Sequence, residues 1–369
     1  MILATPILFA TSLDYSIRFE EELKWKLLKG TFKLIKPDSN KVCIRELLWC
    51  VVSRTTTSGR TSKKVDYVAK NAGQEMFGDK MNGFQRRPSR PAEHKRMALF
   101  NVQGLVVSTD TCTRDQIRKV IWFKSLEKDI FVGSFPRAGG SWVQYIIWTL
   151  LRGTDNVLPT LKEMRTKYFP CIEQVDPDYV DKDLTKRNEG RLIHHHLPRA
   201  FVPAGVQKSI YIIRNPYDVC VSYYYYLKVN GKYEADFGDF FECFFRGEVP
   251  FGDYFDHIAS WYEARDEPTT KILFYEQMMD NPNRAIVEIA DFIGVSVTPE
   301  QVLEIASLTN LESLCGIETE NVSREHYRYA YNGDWKKMMT EGQKVRLDEL
   351  VEQFRYTDMY KVWVQYAHI

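Results

Sequence analysis

The chain has 369 residues, 44% of them hydrophobic and 14% aromatic, with 50 basic against 49 acidic side chains and a formal net charge of +1. That length carries one large domain or two ordinary ones, and the near-neutral balance excludes a global field that would draw the protein to nucleic acid or a membrane surface, so a bound anion needs a local site. The seven cysteines are odd in number, scattered and never in CxxC spacing, which argues against a disulfide framework or a cysteine zinc site and favours a reducing, cytoplasmic compartment.

The N-terminus opens with apolar residues but lacks a basic n-region and a clean small-residue cleavage site, and no segment has the length of a membrane span. Within the residues up to about Met97, SRTTTSGRTSKK (Ser53 to Lys64) and RRPSRPAEHKR (Arg86 to Arg96) are polar, basic and rich in turn formers, with only short apolar stretches between them. No aromatic residues interleave with these clusters, so residues 1–97 read as a poorly ordered or atypical extension rather than a nucleic-acid patch. From residue 98 to 369 apolar runs such as IFVGSF and SIYIIR alternate with longer amphipathic stretches such as RAIVEIADFIGV and QKVRLDELVEQF. This is the pattern of a single α/β domain, a central parallel sheet flanked by helices.

The stretch DIFVGSFPRAGGSWVQYIIWTLL (Asp129 to Leu151) reads as strand, tight loop and helix, with Pro136, Arg137, Gly139 and Gly140 in the turn and Trp142, Ile146, Ile147 and Leu150 at helical spacing. Such a turn aims backbone N–H groups and the positive end of a helix dipole at one point, which suits phosphate or sulfate; it is also an ordinary way to join a strand to a helix. A nucleotide triphosphatase loop needs Lys and then Ser or Thr after its last glycine. Gly140 stands where that lysine would be, which disfavours metal-assisted nucleotide hydrolysis and leaves a P-loop kinase a distant reading. Further on, His194, His195 and His196 stand together; on a strand the first and third share a face, but no third metal ligand of clear spacing is visible.

The chemical stretches agree with one family. SFPRAGGSW resembles the TYPKSGTTW loop of cytosolic-type sulfotransferases, which binds the donor 3'-phosphoadenosine 5'-phosphosulfate (PAPS). RLIHHHLPRAFVP is similar to the family's RxxKTHLPxxLLP, and IYIIRNPYDVCVSYYYY to its IYVxRNxKDVxVSYYxF. VPFGDYFDHIASWYE, ILFYEQMMDNPNRAIVEIADFIG and YNGDWKKMMTEGQ resemble GxWxxHVxxWW, LFYEDMxxNPxxxIxxIxxFLG and GDWKxxFTxxQ. The resemblance runs from about Leu99 to the C-terminus and implies a P-loop-like α/β fold.

It also implies roles. Arg137 takes the place of the catalytic lysine and His196 that of the catalytic base; His194, in place of the adjacent lysine, is expected to be catalytic with them, and His195 replaces the threonine. Arg137, Ala138, Gly139, Gly140 and Ser141 fall on the 5'-phosphosulfate loop, Arg214 and Ser222 on residues that hold the 3'-phosphate, and Trp142 and Tyr275 on residues near the adenine. Thr309, in SLTNLES, lies in a weaker match near the base, and Arg328 falls on the first residue of an RKG clamp whose other two positions are Tyr329 and Ala330. The expected activity is transfer of a sulfuryl group from PAPS, without a metal, to a hydroxyl or amine of a small hydrophobic acceptor such as a phenol or steroid. The alternative is a catalytically weak or inactive protein of the same fold that binds nucleotide or a hydrophobic ligand. Tyr223 to Tyr226, Phe244, Phe245 and Phe251 suit either an apolar acceptor pocket or a plain core. Neither nucleic acid nor a membrane is an expected partner. A homodimer would rest on an altered form of the family's KxxxTVxxxE motif, with Lys336 and Thr340 kept but Glu341 and Val345 in place of valine and glutamate.

Overall fold

A strand covered on both faces can be apolar without alternation, and Ile130–Ser134 is buried at every position. The computed structural model describes residues 97–175, 180, 190–317 and 332–366; Arg328, Tyr329, Ala330 and the basic stretches before Met97 lie outside them. Every described residue belongs to one compact unit, Arg90–Ile369.

A short antiparallel hairpin, β1 (Leu99–Val102) and β2 (Leu105–Ser108), leads into helix α1 (Arg114–Ile121), which begins with a Thr113–Gln116 capping box. Strand β3 (Ile130–Ser134) then feeds helix α2 (Gly140–Arg152). Strands β4 (Leu192–His195), β5 (Lys208–Ile213) and β6 (Thr270–Phe274) complete a four-stranded parallel sheet in the order β4-β3-β5-β6. Val132 pairs with His194 and Gly133 with His195 on one side of β3, and Ile130 through Ser134 pair with Lys208 through Ile212 on the other. The expected parallel sheet is therefore present, with IFVGSF and SIYIIR as two of its strands.

Helices cover both faces. Val143, Tyr145, Ile146 and Ile147 of α2 are completely enclosed and share a core with Val132, Ile210 and Ile212 of the sheet. Helix α3 (Pro216–Val229) starts with the Asn215 side chain accepting from the Asp218 N–H and with Pro216 at a position where a lost N–H does no harm. Helix α4 (Phe237–Phe245) is followed by α5 (Tyr254–Tyr262), and after β6 come α6 (Tyr275–Asp280), α7 (Pro282–Ile293), α8 (Pro299–Leu308) and α9 (Leu311–Gly316). The last two are α10 (Glu341–Val351) and α11 (Asp358–Tyr366). The stretches RAIVEIADFIGV and QKVRLDELVEQF fall on α7 and α10, as their patterning predicts.

Connections from β3 leave first toward β4 and then cross back to β5, so the sheet changes direction at β3. A crevice opens at the C-terminal end of such a strand and is where open α/β sheets bind ligands. No helix among the described residues is long and apolar enough to cross a membrane.

Candidate active site

The turn between β3 and α2 is shaped by two residues in the left-handed region, Arg137 at φ 72° and Gly139 at φ 108°. For an arginine that conformation costs on the order of 1 kcal/mol. Here it coincides with a contact across the cleft, Arg137 Nε donating to Ser222 Oγ at 3.0 Å. The Arg137 carbonyl accepts from Arg214 Nη1 at 3.2 Å. Gly139 is required by space as well as by φ, because a Cβ there would stand 2.4 Å from Cδ2 of Tyr275. Tyr275 packs edge-on against Trp142, with ring centroids 5.7 Å apart, and its ring carries the Arg214 guanidinium 4.5 Å from the centroid. Arg214 and Tyr275, far from the loop in sequence, thus meet Arg137 and Trp142 at the start of α2.

The histidine triplet splits as a strand should. His195 points away, stacked on Trp261 with centroids 5.6 Å apart, and lies so close to β3 that a Cβ on Gly133 would come within 2.3 Å of its ring. His194 and His196 face the cleft. The Nδ1 of His194 donates to the Val132 carbonyl at 3.1 Å and that of His196 to the Ser134 carbonyl at 2.7 Å, leaving their Nε2 atoms 3.2 Å apart. Burial, reinforced by the cations around it, pushes His196 down to about 3, so the ring is neutral at physiological pH. Its backbone is held by two further groups: its N–H donates to Glu173 Oε1 at 2.7 Å, and its carbonyl accepts from His257 Nε2 at 2.9 Å, while His257 Nδ1 meets the Tyr211 hydroxyl at 2.7 Å.

Together these walls enclose a cleft of about 970 Å³ measured out to open solvent. Arg137, Gly139, Gly140, Ser141, Trp142, His194, His196, Arg214 and Tyr275 all line it. Ala138, Ser222 and Thr309 are buried behind the lining: Ser222 meets it through Arg137, and the Thr309 hydroxyl donates to the Ile305 carbonyl two residues before Leu311, which does line the cleft. The proposed aromatics also divide. Tyr223, Tyr226 and Phe251 border the cleft, whereas Phe244 packs against Phe135 and Phe245 stacks on Phe241 and under Arg346. Arg165, on a π-helical turn at Met164–Tyr168, adds a third guanidinium that no pattern in the sequence marks.

The electrostatics are those of an anion site. Desolvation first, and the neighbouring Arg214 second, push Arg137 down to about 10. Among the described residues, Ser134 Oγ and the Trp142 indole N–H are buried in the same wall without a hydrogen-bond partner. No group of three or more metal-ligating side chains occurs among the described residues.

The profile of the sulfotransferase domain matches residues 127–361. The chain belongs to the cytosolic-type sulfotransferase family. It is similar to Sulfotransferase 1E1 of Mus musculus, 26% identical over 250 residues that cover 63% of this chain and 84% of that protein. It is also 27% identical to Sulfotransferase 1C2 of Rattus norvegicus over 282 residues, 71% of this chain and 94% of that one. Among solved structures, mouse sulfotransferase SULT7A1 complexed with PAP superposes with a TM-score of 0.62 at 26% identity, covering 73% of this chain and 99% of the other.

With the family established, its motifs acquire physical roles in this sulfotransferase. Asn215 donates through its N–H and side chain to Glu276 Oε1 at 2.7 and 2.9 Å and through its side chain to Asp218 Oδ2 at 2.8 Å. Asp218 in turn accepts from the N–H groups of Gly333 and Trp335. The RNPYD, FYE and GDW stretches are therefore one buried network that sets where Arg214 and Tyr275 stand. Trp261 of α5 donates its indole N–H to the Leu197 carbonyl at 3.0 Å, so α5 braces the strand end that carries His196.

Proposed function

We propose that this chain transfers a sulfuryl group from PAPS to a hydroxyl or amine of a small hydrophobic acceptor such as a phenol or steroid. The observation that carries the reading is the convergence of Arg137, Arg214 and the start of α2 on the wall of one cleft that also holds the neutral ring of His196. The PAP complex of the mouse relative supports the same donor class. Loose in-line group transfer needs positioning and charge stabilisation more than covalent help. Arg137 serves the second need as a fixed cation at the departing phosphate oxygen; it cannot act as a proton donor, because its guanidinium stays charged. Arg214, with Ser222 and Arg328, holds the 3'-phosphate, and Trp142 and Tyr275 flank the adenine. His196, with Nδ1–H fixed on Ser134, presents Nε2 as the base for the acceptor's proton. Tyr223, Tyr226, Leu227, Pro250 and Phe251 make an apolar border suited to the acceptor.

Calorimetric titration with PAP, against ATP and 5'-AMP and without added metal, tests the donor site. Selective binding of the 3'-phosphate compound is expected, followed by sulfated product from PAPS and a panel of phenols and steroids. Equal or absent binding of all three nucleotides would remove the donor reading, and selective binding with no turnover on that panel would leave a nucleotide-binding protein of this fold.

A further inference from the structure

His194 and His196 cannot both be satisfied as neutral rings. Each Nδ1 faces a backbone carbonyl, which only accepts, so each Nδ1 carries its hydrogen and each neutral ring is left with a bare lone pair at Nε2. Those two lone pairs face one another across 3.2 Å. One added proton turns this repulsion into a charge-assisted N–H···N bond. The contact is imposed by the sheet: Val132 pairs with His194 in register, the ring centroids lie 4.5 Å apart at 86°, and both rings are tied to β3 carbonyls.

Several charged and titratable groups surround the pair. Arg137 comes from the loop, Arg165 from the Met164–Tyr168 turn and Arg214 from the end of β5, while His195 lies on the opposite face of the strand, His257 on α5, and Glu173 against the His196 N–H. Burial and the nearby cations, including Arg165, hold both rings below the ordinary imidazole range while the cleft has no anion to offset them. Phosphate in the loop reverses that balance. The loop is adjacent, since a Cβ on Gly140 would stand 3.2 Å from Cε1 of His194.

We propose that His194 and His196 act as one proton-sharing base, which keeps the acceptor's proton between the two Nε2 atoms and so creates a cation beside the loop as the phosphate departs. The inference rests on the donor-site reading above. In the step, the acceptor O–H bond breaks and its proton goes to His196 Nε2, shared with His194 Nε2. The acceptor oxygen forms the new O–S bond, and the bond from sulfur to the bridging oxygen breaks with its electron pair left on the 5'-phosphate. Where the resembling family places a permanent lysine charge at position 194, this chain makes its second cation during turnover.

The product complex therefore holds about one more proton than the free protein. Titration of the full chain with PAP at pH 8, in two buffers of different ionisation enthalpy, counts it. At that pH the ligand's 5'-phosphate, with a second pKa of about 6, has essentially no proton of its own to lose. Uptake close to one proton is expected, with PAP affinity falling up to about tenfold per pH unit above pH 8; His194→Phe should abolish most of the uptake and lower kcat more than it raises KM. Binding with uptake near zero overturns the inference alone, as does uptake unchanged in His194→Phe, and the wild-type count decides the matter if that variant does not fold. Absence of PAP binding overturns the donor reading and this inference with it.

Discussion

Two walls of the cleft differ in how they depart from the family pattern they resemble. The wall built from the β5–α3 turn and the start of α6 keeps the pattern: Asn215, Asp218 and Glu276 form a closed buried network, with Arg214 resting on Tyr275. The wall built from the β3–α2 loop and β4 carries Arg137, Ala138, Gly140, His194 and His195 where the family has lysine, serine, threonine, lysine and threonine. Read one at a time, these look like losses. In three dimensions two of them are a single change, because the His194 ring occupies the space a side chain at 140 would need, 3.2 Å from the would-be Cβ, and Ser134 Oγ lies 2.8 Å from it. A buried hydrogen-bond network resists piecemeal change, whereas a wall of ring against glycine can exchange both members together.

The sharpest way to break the comparison is Arg137→Ala. Removing a charge-stabilising donor of this kind typically lowers kcat by about 10²–10³-fold, and that loss in initial rate with saturating PAPS is expected here; retention of full rate would place the catalytic cation elsewhere. Gly140→Thr comes next. Alone it overpacks both Ser134 and His194 and should cost roughly 1–3 kcal/mol in urea denaturation, whereas Gly140→Thr with His194→Lys should recover the part that His194 causes. A double-mutant cycle with no coupling would show the two positions to be independent.

Glu173, behind His196, tests the same wall by pH. Burial pushes its carboxyl up to about 7, while in the unfolded chain it titrates at about 4.3. Between these values the unfolded state gives up the proton that the folded state keeps, so this group makes folding less favourable as pH rises from about 4 to about 7. Glu173→Gln, whose carbonyl can still accept from His196 N–H, should therefore gain on the order of 2 kcal/mol relative to wild type between pH 5 and pH 8. Parallel stability curves would place a neutralising partner beside Glu173. The smallest effect belongs outside the cleft lining, at the start of α10, where Thr340 and Gln343 form a capping box. Thr340→Ala should cost about 1 kcal/mol in thermal or urea unfolding with unchanged PAP affinity.

Much of this protein could be read from the chain. Uninterrupted apolar runs identify β3 and β5, the glycine-containing turn followed by Trp142, Ile146 and Ile147 identifies the loop and α2, and RNPYD announces a strand end, a cap and a helix. These are local facts: side-chain period, backbone freedom at glycine and the fixed φ of proline act within a few residues. Arg165 and Glu173 could not be read, since neither sits in a motif and both reach the site only because the segment after α2 returns beside β4, where Cys171 bridges His194.

The amino-acid order alone determined which residues are extended, where the chain turns and that His194 and His196 share a face, because those follow from nearest-neighbour geometry. Tertiary structure alone decided that Arg137 meets Ser222, that Gly140 makes room for His194, and that two imidazole nitrogens confront each other at 3.2 Å. Parallel register sets those last relations, and register is a property of strands brought together over many intervening residues.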